Sequence, residues 1–303
     1  MDFSVWPNMS HAPDEVFDTA RWAEAAGWHG IWYADHYMPN TGDESIEPGD
    51  THECWAMLPA IAAVTERLRL GSLVAPTSVH HPAVLANRAA TIDHISHGRM
   101  VLGLGAGWQI NEHRAYGIEL EPPKQRVDRF EEAIEIIRSL LGQDRTTFSG
   151  DVYTIIDAPS DPPPVQDPLP ILVGTKGKRM MKITARFADE WNTWGGVAMA
   201  SENRARFVEA CEAVGRDPGT MRMSVQALIY LVDDQAQAEK ALSGPMGSRS
   251  IAGSAEQLID TIGQYADAGF DEFIVPDFNL GRTPERRRDR LERIDTDIVR
   301  QMT

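Results

Sequence analysis

The dipeptide Asp35-His36 is the best candidate in this chain for proton chemistry. Histidine titrates near neutrality, and an adjoining carboxylate can orient or charge its ring. Glu112 is a second ionisable candidate, although a carboxylate at a helix start also serves the helix dipole. Two further stretches suit a flat ligand. Gly71-Ser72-Leu73-Val74-Ala75-Pro76 and Gly103-Leu104-Gly105-Ala106-Gly107 each end an apolar run, and glycine lets a ligand approach the backbone closely. A third stretch, Gly174-Thr175-Lys176-Gly177-Lys178-Arg179, enters a helix. Free N–H groups at a helix start bind phosphate, and three cations there supply local positive charge.

Other chemistries fit less well. GLGAG is followed by Trp108 where a dinucleotide fingerprint needs its third glycine, and the Lys176 to Arg179 loop lacks the spacing of a Walker motif. His52, Cys54, His80, His81, His94 and His97 show no metal-ligand spacing, so no metal is expected. The only two cysteines, Cys54 and Cys211, read as packed free thiols. With 29 basic and 45 acidic residues the net charge is −16, which argues against nucleic acid and anionic membranes as partners. A phosphorylated ligand therefore needs the local basic loop, because screening confines such attraction to about 8 Å. No apolar run approaches a membrane span, and MDFSVWPNMS has no signal-peptide character. A cytoplasmic protein acting on a small molecule is the expectation.

The elements that must position these residues alternate. Strands are expected at Asp2–Trp6, 30–34, 68–74, Met100–Leu104, 171–174, 190–194, 223–229 and 272–275, with amphipathic helices between them. Residues 39–53 read as a long acidic loop, 146–156 as a hairpin, 158–170 as an extended proline-rich segment and 243–250 as a flexible lid. The charged tail 283–299, with its RRRDRLER, reads as a helix with a solvated face. Eight strands alternating with helices, without a repeat or linker, predict one α/β domain over residues 1–303, a (β/α)8 barrel with insertions. In such a barrel, strand C-termini carry the active face.

Against that frame, GIWYADHY, ERLRLGSLVAP with HHPAVLA, SHGRMVLGLGAGW followed by NE, and ILVGTKGKR followed by ADEWN resemble the luciferase-like flavin and deazaflavin oxidoreductases. The likeness runs from Asp2 to about Asn192 and continues more loosely through IAGSAEQL and AGFDEFIV. It implies FMN or coenzyme F420 on the active face. F420 is favoured, since Lys176, Lys178 and Arg179 suit both its phosphate and its anionic glutamyl tail. It further implies a non-prolyl cis peptide at Ser72-Leu73, with Ala75 in the same cofactor-contacting stretch. His36 would lie at the ring with Asp35 beside it, Gly105, Ala106 and Gly107 would flank the ring with Asn111 nearby, and Gly174 to Arg179 would take the phosphate. The implied reaction is hydride transfer with His36 managing a proton, in a homodimer. Trp108 stands where the sugar-phosphate dehydrogenases of the family carry an acidic glutamate, which favours an apolar or aromatic substrate. The alternatives are an FMN monooxygenase fed reduced flavin by a partner reductase, a metal-dependent barrel hydrolase and a non-catalytic deazaflavin carrier.

Overall fold

Short apolar runs become strands buried on both faces, and the longer amphipathic runs become helices laid outside them. The structure is a computed structural model and describes residues 1–302. In chain order the elements are β1 (Asp2–Trp6), α1 (Pro13–Ala26), β2 (Gly30–Tyr33), α2 (Cys54–Ala63), β3 (Arg69–Ser72), β4 (Ala75–Pro76), α3 (Pro82–Ser96) and β5 (Met100–Gly105). There follow α4 (Ile110–Tyr116), α5 (Pro123–Gly142), β6 (Arg145–Ser149), β7 (Thr154–Pro159), β8 (Ile171–Gly174), α6 (Lys178–Phe187), β9 (Glu190–Trp194) and α7 (Val197–Glu212). Next come β10 (Arg222–Gln226), β11 (Leu228–Leu231), α8 (Gln235–Leu242), β12 (Ser250–Gly253), α9 (Ala255–Asp267), β13 (Glu272–Pro276) and α10 (Pro284–Ile294), which runs on through a π-helical turn at Asp295–Val299 to a last helical turn, α11 (Arg300–Met302).

Strands β1, β2, β3, β5, β8, β9, β10 and β13 pair in that circular order, all parallel, and β3 meets β5 to close the barrel. β4 continues the third barrel strand after a break, with Ala75 opposite Leu104. Apolar side chains fall into two groups. One fills the space between the barrel and its helices; the other, Trp6, Trp32, Ala34, Leu73, Val101, Leu172 and Ile274, fills the barrel itself. Local signals explain several helix ends. Pro13 with Asp14 and Glu15 opens α1, Gly27 closes it at φ 84°, and Ser254 and Gln257 form a capping box on α9. Among the described residues no helix is long and apolar enough to cross a membrane.

Three expectations change. Residues 223–229 are not one strand. Gln226 is the last residue in register with β9, and β11 leaves the barrel to pair in parallel with β12, a strand the sequence reading did not foresee. The expected lid contains a 3-10 turn at Gly247–Arg249, and the Ser248 carbonyl accepts the Gly196 N–H at 2.9 Å, tying it to the end of β9. The tail is not simply solvated: Arg287 is buried against Glu15 through two bonds of 2.7 Å, and Asp295 accepts the Trp28 indole N–H at 2.9 Å.

Candidate active site

The parallel barrel brings the ends of β2, β3, β5 and β8 to one rim, and with them His36, Leu73, Gly105 and Gly174. Helix α4 then delivers Glu112, 76 residues from His36, into direct contact. Its Oε1 lies 2.9 Å from His36 Nδ1 and its Oε2 accepts the Tyr37 N–H at 2.9 Å. The buried carboxylate is thus committed to the β2 end, where a role for the helix dipole alone would have left it at the α4 surface. With Nδ1 serving Glu112, Nε2 of His36 has no partner within the described residues and is the ring atom free to exchange a proton.

Asp35, fully buried, lies under this pair and does not orient the His36 ring. Its Oδ2 accepts from His80 Nε2 at 2.7 Å and from the Trp55 indole at 2.8 Å, anchoring the β2 end to α2 and to the segment before α3. Burial, reinforced by the nearby Asp35 charge, pushes the Tyr37 phenol far above its ordinary range, so Tyr37 stays neutral.

The floor corrects the expected cis bond by one residue: it joins Leu73 and Val74, not Ser72 and Leu73. Ser72 is still a ladder residue, paired with Tyr33, and its hydroxyl donates to the Gly103 carbonyl at 2.8 Å and accepts the Gly103 N–H at 3.1 Å. Regular pairing lapses only after it. The glycines here serve the protein first. A Cβ at Gly103 would sit 1.8 Å from the Ser72 carbonyl oxygen, and one at Gly105 would sit 2.8 Å from Val74 Cγ2. Gly174 likewise faces Val74. Ser72 and Ala75 are fully buried, so they shape the floor from below while Val74 reaches its surface.

At the end of β8, the loop Gly174 to Gly177 enters α6 with no side chain capping the helix. The first bond within the helix is the Met181 N–H to Gly177, which leaves the N–H groups of Lys178, Arg179 and Met180 without helical acceptors. Lys176 and Lys178 are exposed and have no ion pair among the described residues. This donor set fits a phosphate. Arg179 departs from the expectation, because its guanidinium is held by Asp128 and Glu131 on α5. Asn111 departs too: its amide donates to the Pro39 carbonyl at 2.9 Å and to Thr41 and Ser45 at 3.2 Å, pinning the long acidic loop.

Sequence reasoning overlooked an aromatic wall. Trp6 at the end of β1 lies 5.4 Å from Trp194 at the end of β9 and 5.0 Å from Phe278 beyond β13. Trp108, 55% exposed, meets the His36 ring edge-on at 5.6 Å. The available signal was a large aromatic at or just past four strand C-termini, of which only Trp108 was read as bearing on the substrate. Among the described residues no group of three His, Cys, Asp or Glu side chains is placed to hold a metal.

A model of the luciferase-like monooxygenase family matches residues 1–247. The chain belongs to that family. Among its relatives, the F420-dependent glucose-6-phosphate dehydrogenase of Kineococcus radiotolerans is 32% identical over 75% of this chain and 67% of its own length. The F420-dependent hydroxymycolic acid dehydrogenase of Mycobacterium tuberculosis is 30% identical over 75% of this chain and 62% of its own length. This luciferase-like chain therefore spans about two thirds of those curated relatives. Its fold is also that of an F420-dependent secondary alcohol dehydrogenase solved with an F420–acetone adduct, with a TM-score of 0.79 at 21% identity over 91% of this chain and 92% of that one.

Proposed function

We infer that this chain is an oxidoreductase that uses coenzyme F420 and moves a hydride between the deazaflavin and a small apolar or aromatic substrate. The observation that carries the reading is the pairing, on one rim, of an uncapped helix start flanked by two unpartnered lysines with a histidine whose Nδ1 is fixed by a buried glutamate. The names of the F420-dependent relatives support the coenzyme. Taking residues 1–303 as one catalytic domain in the cytoplasm completes the reading. So does a homodimer, for which Val84 and Ile95, exposed on α3, offer apolar surface.

The N–H groups at the α6 start, with Lys176 and Lys178, would hold the coenzyme phosphate, and Val74 with the Gly105 to Gly107 loop would support its ring. When bound, the deazaflavin supplies the carbon that gives or takes the hydride. The chain's own residues do the rest. His36 Nε2 gives or takes the proton that accompanies hydride transfer at a carbonyl or alcohol oxygen, and Glu112 holds the ring in one tautomer. Trp6, Trp194, Phe278 and Trp108 keep water from the substrate side and favour apolar bodies over phosphorylated ones.

Titration of the purified protein with F420 and with FMN, each followed by ring fluorescence, tests the reading. Saturable F420 binding with turnover of a bound alcohol or ketone is the expected result. Binding of reduced FMN with oxygen-dependent turnover, fed by a partner reductase, would instead select the monooxygenase. Binding of neither coenzyme sinks both.

A further inference from the structure

A cavity of about 380 Å³ opens between β11 and α10, within the range of small-molecule sites. Its walls are the β11 segment Ile229 to Val232, the turn Asn279 to Gly281 after β13, and the α10 face carrying Arg286, Asp289, Arg290 and Ile294. None of these residues belongs to the site described above. The cavity lies where the seventh and eighth barrel strands end, the place at which (β/α)8 barrels frequently hold phosphate.

The arginines of α10 divide into two sets. Arg287 is bound to Glu15, Arg288 lies over the Trp22 ring at 5.1 Å, and Arg293 is 3.7 Å from Asp297. The two that face the cavity are not neutralised. Arg290 reaches only the Leu231 carbonyl, at 3.3 Å, and Arg286 has no carboxylate within 4 Å among the described residues. Asp289, between them along the helix, likewise makes no ion pair among those residues. Two arginines and one aspartate give this wall one net positive charge in a chain of net charge −16. On the opposite wall Asn279 is already committed, its amide donating to the Ile229 carbonyl at 2.7 Å.

We propose that this cavity is a second ligand site, selective for a small phosphorylated polyol. Arg286 and Arg290 take the phosphate, and a ligand hydroxyl donates to the Asp289 carboxylate. Planar guanidinium groups suit phosphate oxygens, and unpaired ones keep their full donor capacity for it. The site is independent of the coenzyme reading, since it shares no residue with it.

Calorimetric titration of the full chain with glycerol 3-phosphate, inorganic phosphate and glycerol tests the assignment. Saturable binding of the ester is expected, at least tenfold tighter than inorganic phosphate, with none for glycerol. Arg286→Gln and Arg290→Gln should each weaken ester binding about 10- to 100-fold. In the unaltered chain, bound ester should protect Arg286 and Arg290 from phenylglyoxal, read by peptide mass mapping. The proposal is overturned by failure of the ester to bind, by equal affinity for inorganic phosphate, or by labelling of both arginines at the same rate with and without ester. Loss of ester binding in Lys176→Ala with Lys178→Ala, but not in the arginine variants, would move the anion to the α6 start and end it as well.

Discussion

The two ends of the barrel handle charge in opposite ways. At the N-terminal end, Asp2, Arg69, Glu190, Arg222 and Glu272 are each the first residue of a strand, so the parallel register gathers them into one ring. There they consume one another. Arg69 grips Glu190; Arg222 bonds Asp2 at 2.6 Å and lies 3.5 Å from Glu272, and Glu272 also accepts the Trp32 indole at 2.8 Å. At the C-terminal end the same kinds of group stop one partner short. His36 has a committed Nδ1 and an open Nε2, and Lys176 and Lys178 face no carboxylate. Paired charges at the bottom hold strands together, while unpaired ones at the top are available to a ligand. Substitutions at the two ends should therefore fail in different assays.

The largest effect is expected at the top. His36→Asn, which keeps a donor to the buried Glu112 where Nδ1 stood, should lower the rate of deazaflavin oxidation or reduction by about 10²- to 10⁴-fold, the usual contribution of a positioned acid or base, with the unfolding midpoint little changed. Stopped-flow absorbance of the coenzyme, beside a denaturation curve, reads both quantities. A rate within twofold of the parent would remove His36 from the chemistry. At the bottom, Arg69→Met leaves Glu190 buried without its partner and should cost about 3–5 kcal/mol of stability. Burial already pushes the Glu190 carboxyl above its usual range despite the opposing pull of Arg69, as expected of an ion costly to desolvate. Adding Glu190→Leu should return most of the loss in chemical denaturation, and coenzyme affinity of the folded protein should not move. If Arg69→Met instead lowered affinity and left stability alone, the division between the two ends would fail.

How much of this was legible follows from which interactions are local. The strands, their order and the rim loops could be read because apolar runs bounded by turn residues act within ten or so positions. The glycine-rich turn Gly174 to Lys178 leading into α6 could be read for the same reason. Arg179 could not be separated from its neighbours, because the carboxylates that claim it, Asp128 and Glu131, lie 51 and 48 residues earlier on another helix. The His36–Glu112 contact needed α4 to be placed over β2, which no spacing encodes. The break within 223–229 was hidden because β11 exchanges one parallel partner for another without leaving the apolar run. The cis bond was misplaced by one residue because only the Ser72 hydroxyl, tied to Gly103, reveals where the ladder ends. The basal ring of charges was visible letter by letter, yet it gained meaning only once five strand starts were known to share a plane.

A smaller effect on the upper side concerns the anion cradle. Lys176→Ala with Lys178→Ala should weaken F420 binding by about 1–3 kcal/mol and leave the denaturation midpoint in place, since neither lysine has a partner to lose. Fluorescence titration checks it, and unchanged affinity would relocate the phosphate.

The smallest effect belongs to the lower rim and depends on pH. The Glu24 carboxylate accepts N–H groups from Glu66, Arg67 and Leu68 at 2.8, 2.6 and 3.0 Å, fixing the approach to β3. Partial burial raises its pKa, but the three N–H bonds outweigh this and hold it below the ordinary value of 4.5. A carboxyl whose pKa is lower in the folded than in the unfolded state binds fewer protons when folded. Its stabilisation is therefore complete above the unfolded value and is lost as pH falls through the folded one. Glu24→Gln should cost about 1 kcal/mol at pH 7, and the gap between the two proteins should close in urea denaturation as the pH drops below about 4. A gap of constant size across that range would mean that Glu24 acts through shape alone, and that the lower rim owes its order to packing more than to fixed charge.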